Sequence, residues 1–120
     1  MLIKQSALIW MLSVALGLSG CGGSVESDRI MIKYSGALQC QPSVTTQARL
    51  NTEISLLVAA GAVVNGGRCI LDGLPHLALC GAMSGEAFEV AVAVESVPIA
   101  KQLGFEPADR YPDRKSLPCK

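Results

Sequence analysis

The chain has 120 residues, half of them hydrophobic, and its ten Lys and Arg residues balance ten Asp and Glu residues. Nucleic-acid-binding domains usually carry a basic patch or a run of positive charge, and this chain has neither. We therefore expect no nucleic-acid partner, and the length fits a single domain.

The first twenty residues have the three parts of an export signal. Lys4 supplies a positive charge, residues 7–18 are almost continuously apolar, and small residues follow. The apolar run is too short to span a bilayer core of about 30 Å, and it has the usual length of a signal-peptide core. The stretch that follows, Leu18-Ser19-Gly20-Cys21, resembles the lipobox of bacterial lipoprotein precursors.

The resemblance implies cleavage before Cys21, a diacylglycerol group on its thiol and, in many bacteria, a further acyl chain on its amine. We expect residues 1–20 to be the signal peptide, residues 21–28 a flexible Gly- and Ser-containing tether, and residues 29–120 the folded domain. Gly22 follows the lipidated cysteine. By analogy with Gram-negative lipoproteins, this favours a lipid-anchored protein of the outer membrane that faces the periplasm.

In the first half of the domain, the sequence predicts a strand, a helix and two short strands. Ile30, Ile32 and Tyr34 recur with the period of a half-buried strand. Residues 45–60 have helical spacing of apolar side chains and predict the longer helix. Its predicted boundaries are a Ser43 or Thr45 cap and an exit at Gly61. Short strands are predicted at residues 62–64 and 68–71, with a bend or bulge between them.

The second half of the domain contains the clearest strand of the chain, at residues 88–94. We expect one face of this strand to be buried and the other, which includes Glu89, to face solvent. The inward set is Phe88, Val90, Val92 and Val94, and the outward set is Glu89, Ala91, Ala93 and Glu95. A shorter helix is predicted from Ser96 to Gly104, and the tail beyond it would be disordered unless Cys119 ties it down.

These elements predict an α+β domain. The simplest arrangement is a three- or four-stranded, mostly antiparallel sheet with one longer and one shorter helix on one face. The first strand–helix–strand step could form one parallel pair, with the usual right-handed crossover.

Four cysteines remain after the predicted signal peptide is removed, namely Cys40, Cys69, Cys80 and Cys119. An even number in a small exported domain predicts two disulfides. Cys69 and Cys80 flank a turn signal at Asp72-Gly73, so we expect these two to pair and Cys40 to hold the tail through Cys119. The second choice pairs Cys40 with Cys69 and leaves Cys80 to hold the tail.

The residues that could carry chemistry are few. His76 is the only histidine, and no nucleophile lies in a recognisable motif beside it, so we expect no enzymatic activity. Cys69, His76 and Cys80, with Asp72 as a fourth group, could offer ligands to zinc or copper. Because tight Cys-x2-4-Cys pairs are absent and exported thiols tend to oxidise, disulfides are the favoured interpretation.

The sequence therefore predicts a membrane-tethered, non-enzymatic binding or interaction module of the bacterial envelope. It would need no cofactor, and its partner would be another envelope protein. The alternative is a metal- or small-ligand-binding lipoprotein that uses Cys69, His76 and Cys80.

Overall fold

The structure is a computed structural model, and it describes residues 27–120. The predicted signal peptide, Cys21 and most of the predicted tether lie outside the described residues. In chain order the elements are β1 (Arg29–Tyr34), α1 (Gln47–Ala59), β2 (Val64–Leu71), β3 (Glu86–Val92), α2 (Val97–Gln102), β4 (Glu106–Pro107) and β5 (Lys115–Leu117). The predicted α+β class and the two disulfides are confirmed, with five strands in the sheet rather than three or four.

The sheet has the order β4-β1-β3-β2-β5, and every pair in it is antiparallel. β3 lies between β1 and β2, so the first strand–helix–strand step is a split βαβ unit. The possible parallel pair between β1 and β2 is therefore wrong, because β3 occupies the place between them. The first four strands and two helices have the connectivity of a ferredoxin-like sheet, to which β5 adds an edge strand.

Both helices pack on one face of the sheet. The buried sheet residues on this face belong to β1, β2 and β3, and they meet buried residues of α1, α2 and the segment after α2. The cluster comprises Met31, Leu50, Leu57, Ala62, Cys69, Phe88, Val90, Val92, Ala100 and Phe105. The inward face predicted for Phe88, Val90 and Val92 is confirmed.

The longer helix begins later than predicted. Thr46 is its N-cap, and the Thr46 hydroxyl accepts a hydrogen bond of 3.1 Å from the Arg49 N–H. The predicted caps are wrong because both hydroxyls have other partners. The Thr45 hydroxyl is buried against that of Ser35, at 2.8 Å, and the Ser43 hydroxyl accepts from the Thr45 N–H. The predicted exit at Gly61 is confirmed by its φ of +96°.

The opposite face of the sheet is covered by the C-terminal segment rather than by solvent. Ile32, Ile70 and Ala87 on this face pack against Ala108, with Tyr111 beside them. The predicted solvent position of Glu89 is therefore wrong. The Glu89 carboxylate is buried between two arginines, at 2.8 Å from Arg68 Nε and 2.7 Å from Arg114 Nε.

The disulfides join Cys40 to Cys80 and Cys69 to Cys119, so both predicted pairings are wrong. Cys69 does flank the Asp72-Gly73 turn, but its side chain points into the helix-facing core, where no part of residues 73–85 packs. β5 pairs with β2 such that Cys69 lies opposite Leu117, and this register carries Cys119 to the Cys69 sulfur. Cys40 and Cys80 are left at one end of the sheet, where their loops meet.

Candidate binding surface

Two long loops without charged side chains project from the same end of the sheet. No Asp, Glu, Lys or Arg occurs in residues 34–48, which follow β1, or in residues 73–85, which join β2 to β3. Because β1 and β2 run in the same direction, their C-terminal ends lie at one end of the sheet, opposite the end at which Asp28 enters β1. We call residues 35–44 and 73–85 together the apolar tip.

Backbone hydrogen bonds hold the two loops of the apolar tip together. Gln39 donates its N–H to the Ala82 carbonyl at 2.8 Å, and its carbonyl accepts from the Gly81 N–H at 3.0 Å. Leu38 and Met83 form an antiparallel bridge beside these bonds. The two loops therefore form a paired unit rather than two independent excursions.

The Cys40–Cys80 disulfide joins central residues of two tight turns. The Gln41 N–H donates to the Leu38 carbonyl across one turn, and the Ala82 N–H donates to the Leu79 carbonyl across the other. Cys40 has a φ of +64° at the third position of its turn, a conformation that is costly for a residue other than glycine. The disulfide, with a Cα–Cα distance of 5.1 Å, helps to hold this turn in place.

The side chain of Gln39 organises the outer part of the apolar tip. Its amide nitrogen donates to the carbonyls of Leu77 and Met83, at 2.6 and 3.3 Å, and its amide oxygen accepts from the Leu79 N–H at 3.1 Å. One amide side chain thus satisfies three backbone groups of residues 73–85. These three backbone groups are therefore satisfied within the apolar tip.

Asp72 organises the base of the same loop. Its carboxylate is buried and accepts hydrogen bonds from the Tyr34 hydroxyl at 2.8 Å and from the Leu74 N–H at 3.0 Å. The His76 Nε2 atom lies 2.8 and 2.9 Å from the two carboxylate oxygens. Burial alone would raise the pKa of Asp72, but the hydrogen bonds from His76, Tyr34 and Leu74 outweigh it and lower the pKa below its ordinary value.

Tyr34 and Gly85 complete this polar base. Burial, together with the hydrogen bond to Asp72, raises the pKa of the Tyr34 hydroxyl well above its ordinary value, so this group is a neutral donor. Gly85 has a φ of +84°, and a Cβ atom at this position would lie 2.5 Å from His76 Nε2 and 2.7 Å from Asp72 Oδ1. Only glycine lets the loop close this tightly on the Asp72 carboxylate.

The apolar tip exposes several large aliphatic side chains. Leu77 is the most exposed large hydrophobic residue of residues 27–120, at 77%, and Leu79 follows at 63%. The remaining members are Leu38, Val44, Leu74 and Met83. A contiguous exposed apolar surface on a small domain marks an interaction site more often than it marks chance exposure.

The structure does not bring the predicted metal ligands together. Cys69 is bonded to Cys119 in the core, Cys80 is bonded to Cys40 in the apolar tip, and His76 contacts Asp72. Across residues 27–120, no group of three or more His, Cys, Asp or Glu side chains could hold a metal ion. His76 and Asp72 have a structural role at the base of the apolar tip.

Sequence reasoning missed the apolar tip, although its signal was present. Both charge-free runs contain a cysteine; the first also has Leu38 and Val44, and the second has Leu74, Leu77, Leu79 and Met83. The signal becomes specific only when the sheet order is known, because that order brings the two runs to the same end of the domain.

No family model, curated protein or solved structure matches the chain. Within residues 27–120, no helix is long and apolar enough to cross a membrane.

Proposed function

We propose that this protein is a lipid-anchored module of the bacterial envelope that binds another envelope protein through the apolar tip, without catalysing a reaction. The observation that carries the proposal is the exposure of Leu77 and Leu79 on a pair of loops that contain no charged side chain and that the Gln39 side chain ties together. The anchor is proposed from the lipobox that ends at Cys21.

The chemistry of the apolar tip favours a protein partner. Interface centres are depleted in charged residues, and they gain affinity when apolar side chains leave water. The two loops contribute no Asp, Glu, Lys or Arg side chain to this surface, and the neighbouring Arg49 guanidinium is already hydrogen-bonded to the carbonyls of Ser35 and Val44. The partner is therefore expected to present an apolar pocket or groove that accepts Leu77 and Leu79.

The rigidity of the apolar tip also supports binding. A loop that must be ordered on association loses affinity to conformational entropy, whereas a preorganised loop does not. The disulfide, the Gln39 side chain and the buried Asp72 carboxylate order the apolar tip before any partner arrives. This construction distinguishes it from an ordinary exposed loop.

The structure gives no support to metal binding by Cys69, His76 and Cys80. The two cysteines are in different disulfides, and a disulfide sulfur is not a thiolate ligand. His76 alone is one ligand, and its Nε2 atom is hydrogen-bonded to Asp72.

The proposal is tested by removing the apolar side chains of the tip without disturbing the fold. Lipoprotein extracted from envelopes in mild detergent is purified as parent, as Leu77→Ser/Leu79→Ser and as Leu56→Ser, and the bound proteins are identified by mass spectrometry. Leu56 is a matched control because it is an exposed leucine, at 51%, on α1. We expect one protein to be lost only from the tip variant.

The free energy of unfolding of each variant shows whether a loss of binding comes from unfolding rather than from the missing side chains. Both tip leucines are exposed, so each variant should unfold within about 0.5 kcal/mol of the parent per substitution. An identical set of bound proteins in all three preparations would contradict the proposed role of the apolar tip.

A further inference from the structure

The end of the domain at which the chain enters β1 carries a second exposed apolar surface. Residues 56–64, LLVAAGAVV, have no polar side chain, and six of the nine are exposed. Leu56, Val58 and Val63 are the large ones, at 51%, 55% and 50% exposure. We call the exposed residues of this segment the tether-end patch. The surrounding residues 54–67 contain no charged side chain.

The sheet register fixes where this patch lies. Arg29 at the start of β1 and Val64 at the start of β2 both pair with Val92 at the end of β3. The Asn65 side-chain nitrogen also donates to Asp28 Oδ1 at 2.9 Å. The patch therefore lies beside the point at which the N-terminal segment joins the domain.

The distance from this point to the proposed anchor is short. Seven peptide steps separate Cys21 from Asp28, and a fully extended chain covers at most about 3.6 Å per step. Asp28, beside the tether-end patch, therefore stays within roughly 25 Å of the lipidated residue. The apolar tip lies at the opposite end of the sheet, separated from Asp28 by the length of β1, about 20 Å for six residues.

The end of α1 is suited to an apolar surrounding. The Gly61 N–H donates to the Val58 carbonyl at 3.0 Å, and the Ala62 N–H donates to the Leu57 carbonyl at 2.9 Å. This pair of bonds is a Schellman motif, which satisfies carbonyls that would otherwise need water. The last turn of the helix also carries no basic residue.

We infer that the tether-end patch rests on the surface of the bilayer that holds the Cys21 lipid, so that the apolar tip points away from the membrane. The inference rests on the proposed lipid anchor. Three half-exposed aliphatic side chains bind a membrane weakly on their own, but the tether makes the contact intramolecular and raises its effective concentration. Asp28, Arg29 and Glu95 are exposed at this end and nearly cancel in charge, so anionic lipid is not required.

The mature chain offers a clean optical test. Its only tryptophan, Trp10, is in the predicted signal peptide, so one introduced tryptophan is a unique reporter. Lipidated Val58→Trp and Leu77→Trp proteins, extracted from membranes, are reconstituted into phosphatidylcholine vesicles whose acyl chains are brominated. The two positions are a matched pair because both are exposed and aliphatic, at opposite ends of the domain.

We expect the Val58→Trp emission to shift to the blue and to be quenched by the brominated lipid, while the Leu77→Trp emission remains that of a solvated residue. Adding phosphatidylglycerol should change neither result. A Val58→Trp protein that lacks residues 1–20 and carries Cys21→Ser has neither Trp10 nor the lipid, and it should not be quenched when it is mixed with the same vesicles.

The remaining outcomes overturn the inference in distinguishable ways. If both lipidated proteins float with the vesicles but Val58→Trp is not quenched, or is quenched no more than Leu77→Trp, the domain does not rest on the tether-end patch and the anchor stands. If neither protein floats with the vesicles, the anchor itself is wrong, and the inference falls with it.

Discussion

Single buried polar residues decide how the two loops and the C-terminal segment are held. Asp72 forms hydrogen bonds with Tyr34, with His76 and with the start of the loop between β2 and β3. Glu89 forms hydrogen bonds with Arg68 of β2 and with Arg114 of the segment that covers the outer face of the sheet. Among residues 27–120, no buried side-chain nitrogen or oxygen lacks a hydrogen-bond partner. These carboxylates connect elements that apolar packing alone would hold less specifically.

Glu89 is expected to make stability depend on pH. Burial alone would raise the pKa of Glu89, but the hydrogen bonds from Arg68 and Arg114 lower it below its ordinary value. The folded protein therefore binds this proton less readily than the unfolded chain does. The ionised carboxylate stabilises the fold at neutral pH, and this contribution is lost as the pH falls below about 4.3, the ordinary value for Glu.

The Glu89→Gln variant tests this expectation. We expect the free energy of unfolding at pH 7 to fall by about 1.5–3 kcal/mol, the range for a hydrogen bond to a charged group, and its decline in acid to become shallower. Denaturant titrations between neutral and acid pH measure both effects. Glu95→Gln is the control, because Glu95 is exposed on the same segment of chain. Equal pH profiles for the two variants would contradict the role given to Glu89.

At the scale of elements, the sequence was informative where periodicity extends over many residues. α1 and β3 could be predicted because their apolar positions recur at helical and strand spacing over 13 and 7 residues. β4 and β5 have only two and three residues, which is too few for a pattern, and their strand character comes from pairing with β1 and β2.

The errors in the predicted site have a common physical origin. Alternation along β3 distinguishes its two faces but does not reveal that the C-terminal segment covers the second face, and so Glu89 was expected in solvent. The cysteine pairing likewise depends on which loops the sheet order brings together. Local spacing favoured Cys69 with Cys80, whereas the β2–β5 register pairs Cys69 with Cys119. Contacts between distant segments are not encoded in short patterns.

Removal of each disulfide is expected to have a different effect on the stability and order of the domain. The bonded cysteines lie 40 and 50 positions apart in the sequence, so chain entropy predicts that each disulfide stabilises the fold by about 4 kcal/mol. Cys69 is fully buried, and replacing it with serine also places an unmatched hydroxyl in the core. Cys69→Ser/Cys119→Ser should therefore be the less stable variant in a urea titration.

Cys40→Ser/Cys80→Ser should keep the core and lose order in the apolar tip. Amide hydrogen exchange distinguishes the two cases, because protection in β1 and β3 should persist while protection of Gly81 and Ala82 falls. Loss of protection throughout β3 in this variant would show that the apolar tip and the core are a single cooperative unit.

The two ends of the described domain differ. The chain enters β1 at one end of the sheet, and the apolar tip lies at the other end. Each end exposes aliphatic side chains. For a protein held to a membrane by a short tether, this arrangement gives the two ends different environments. Under the proposed lipid anchor, one end would meet the bilayer and the other would meet the periplasm.

The anchor is the premise of this arrangement, and its test is direct. Cys21→Ser should yield either an uncleaved precursor or a form that no longer fractionates with membranes, because the proposed acyl chains on Cys21 would provide the stable anchoring. Fractionation of cells followed by mass measurement of the N-terminal peptide checks both results. Normal processing and membrane association of Cys21→Ser would show that the lipobox interpretation is wrong.

The interlaced disulfides have a consequence for biosynthesis. If the chain is exported as proposed, its four disulfide-forming cysteines leave the translocation channel in the order Cys40, Cys69, Cys80 and Cys119, and the native bonds join the first to the third and the second to the fourth. A chain oxidised as it emerges first encounters Cys40 and Cys69 together, and that bond is non-native. Correct maturation therefore requires oxidation to wait until the sheet has formed, or a thiol catalyst to exchange the first bond for the native ones.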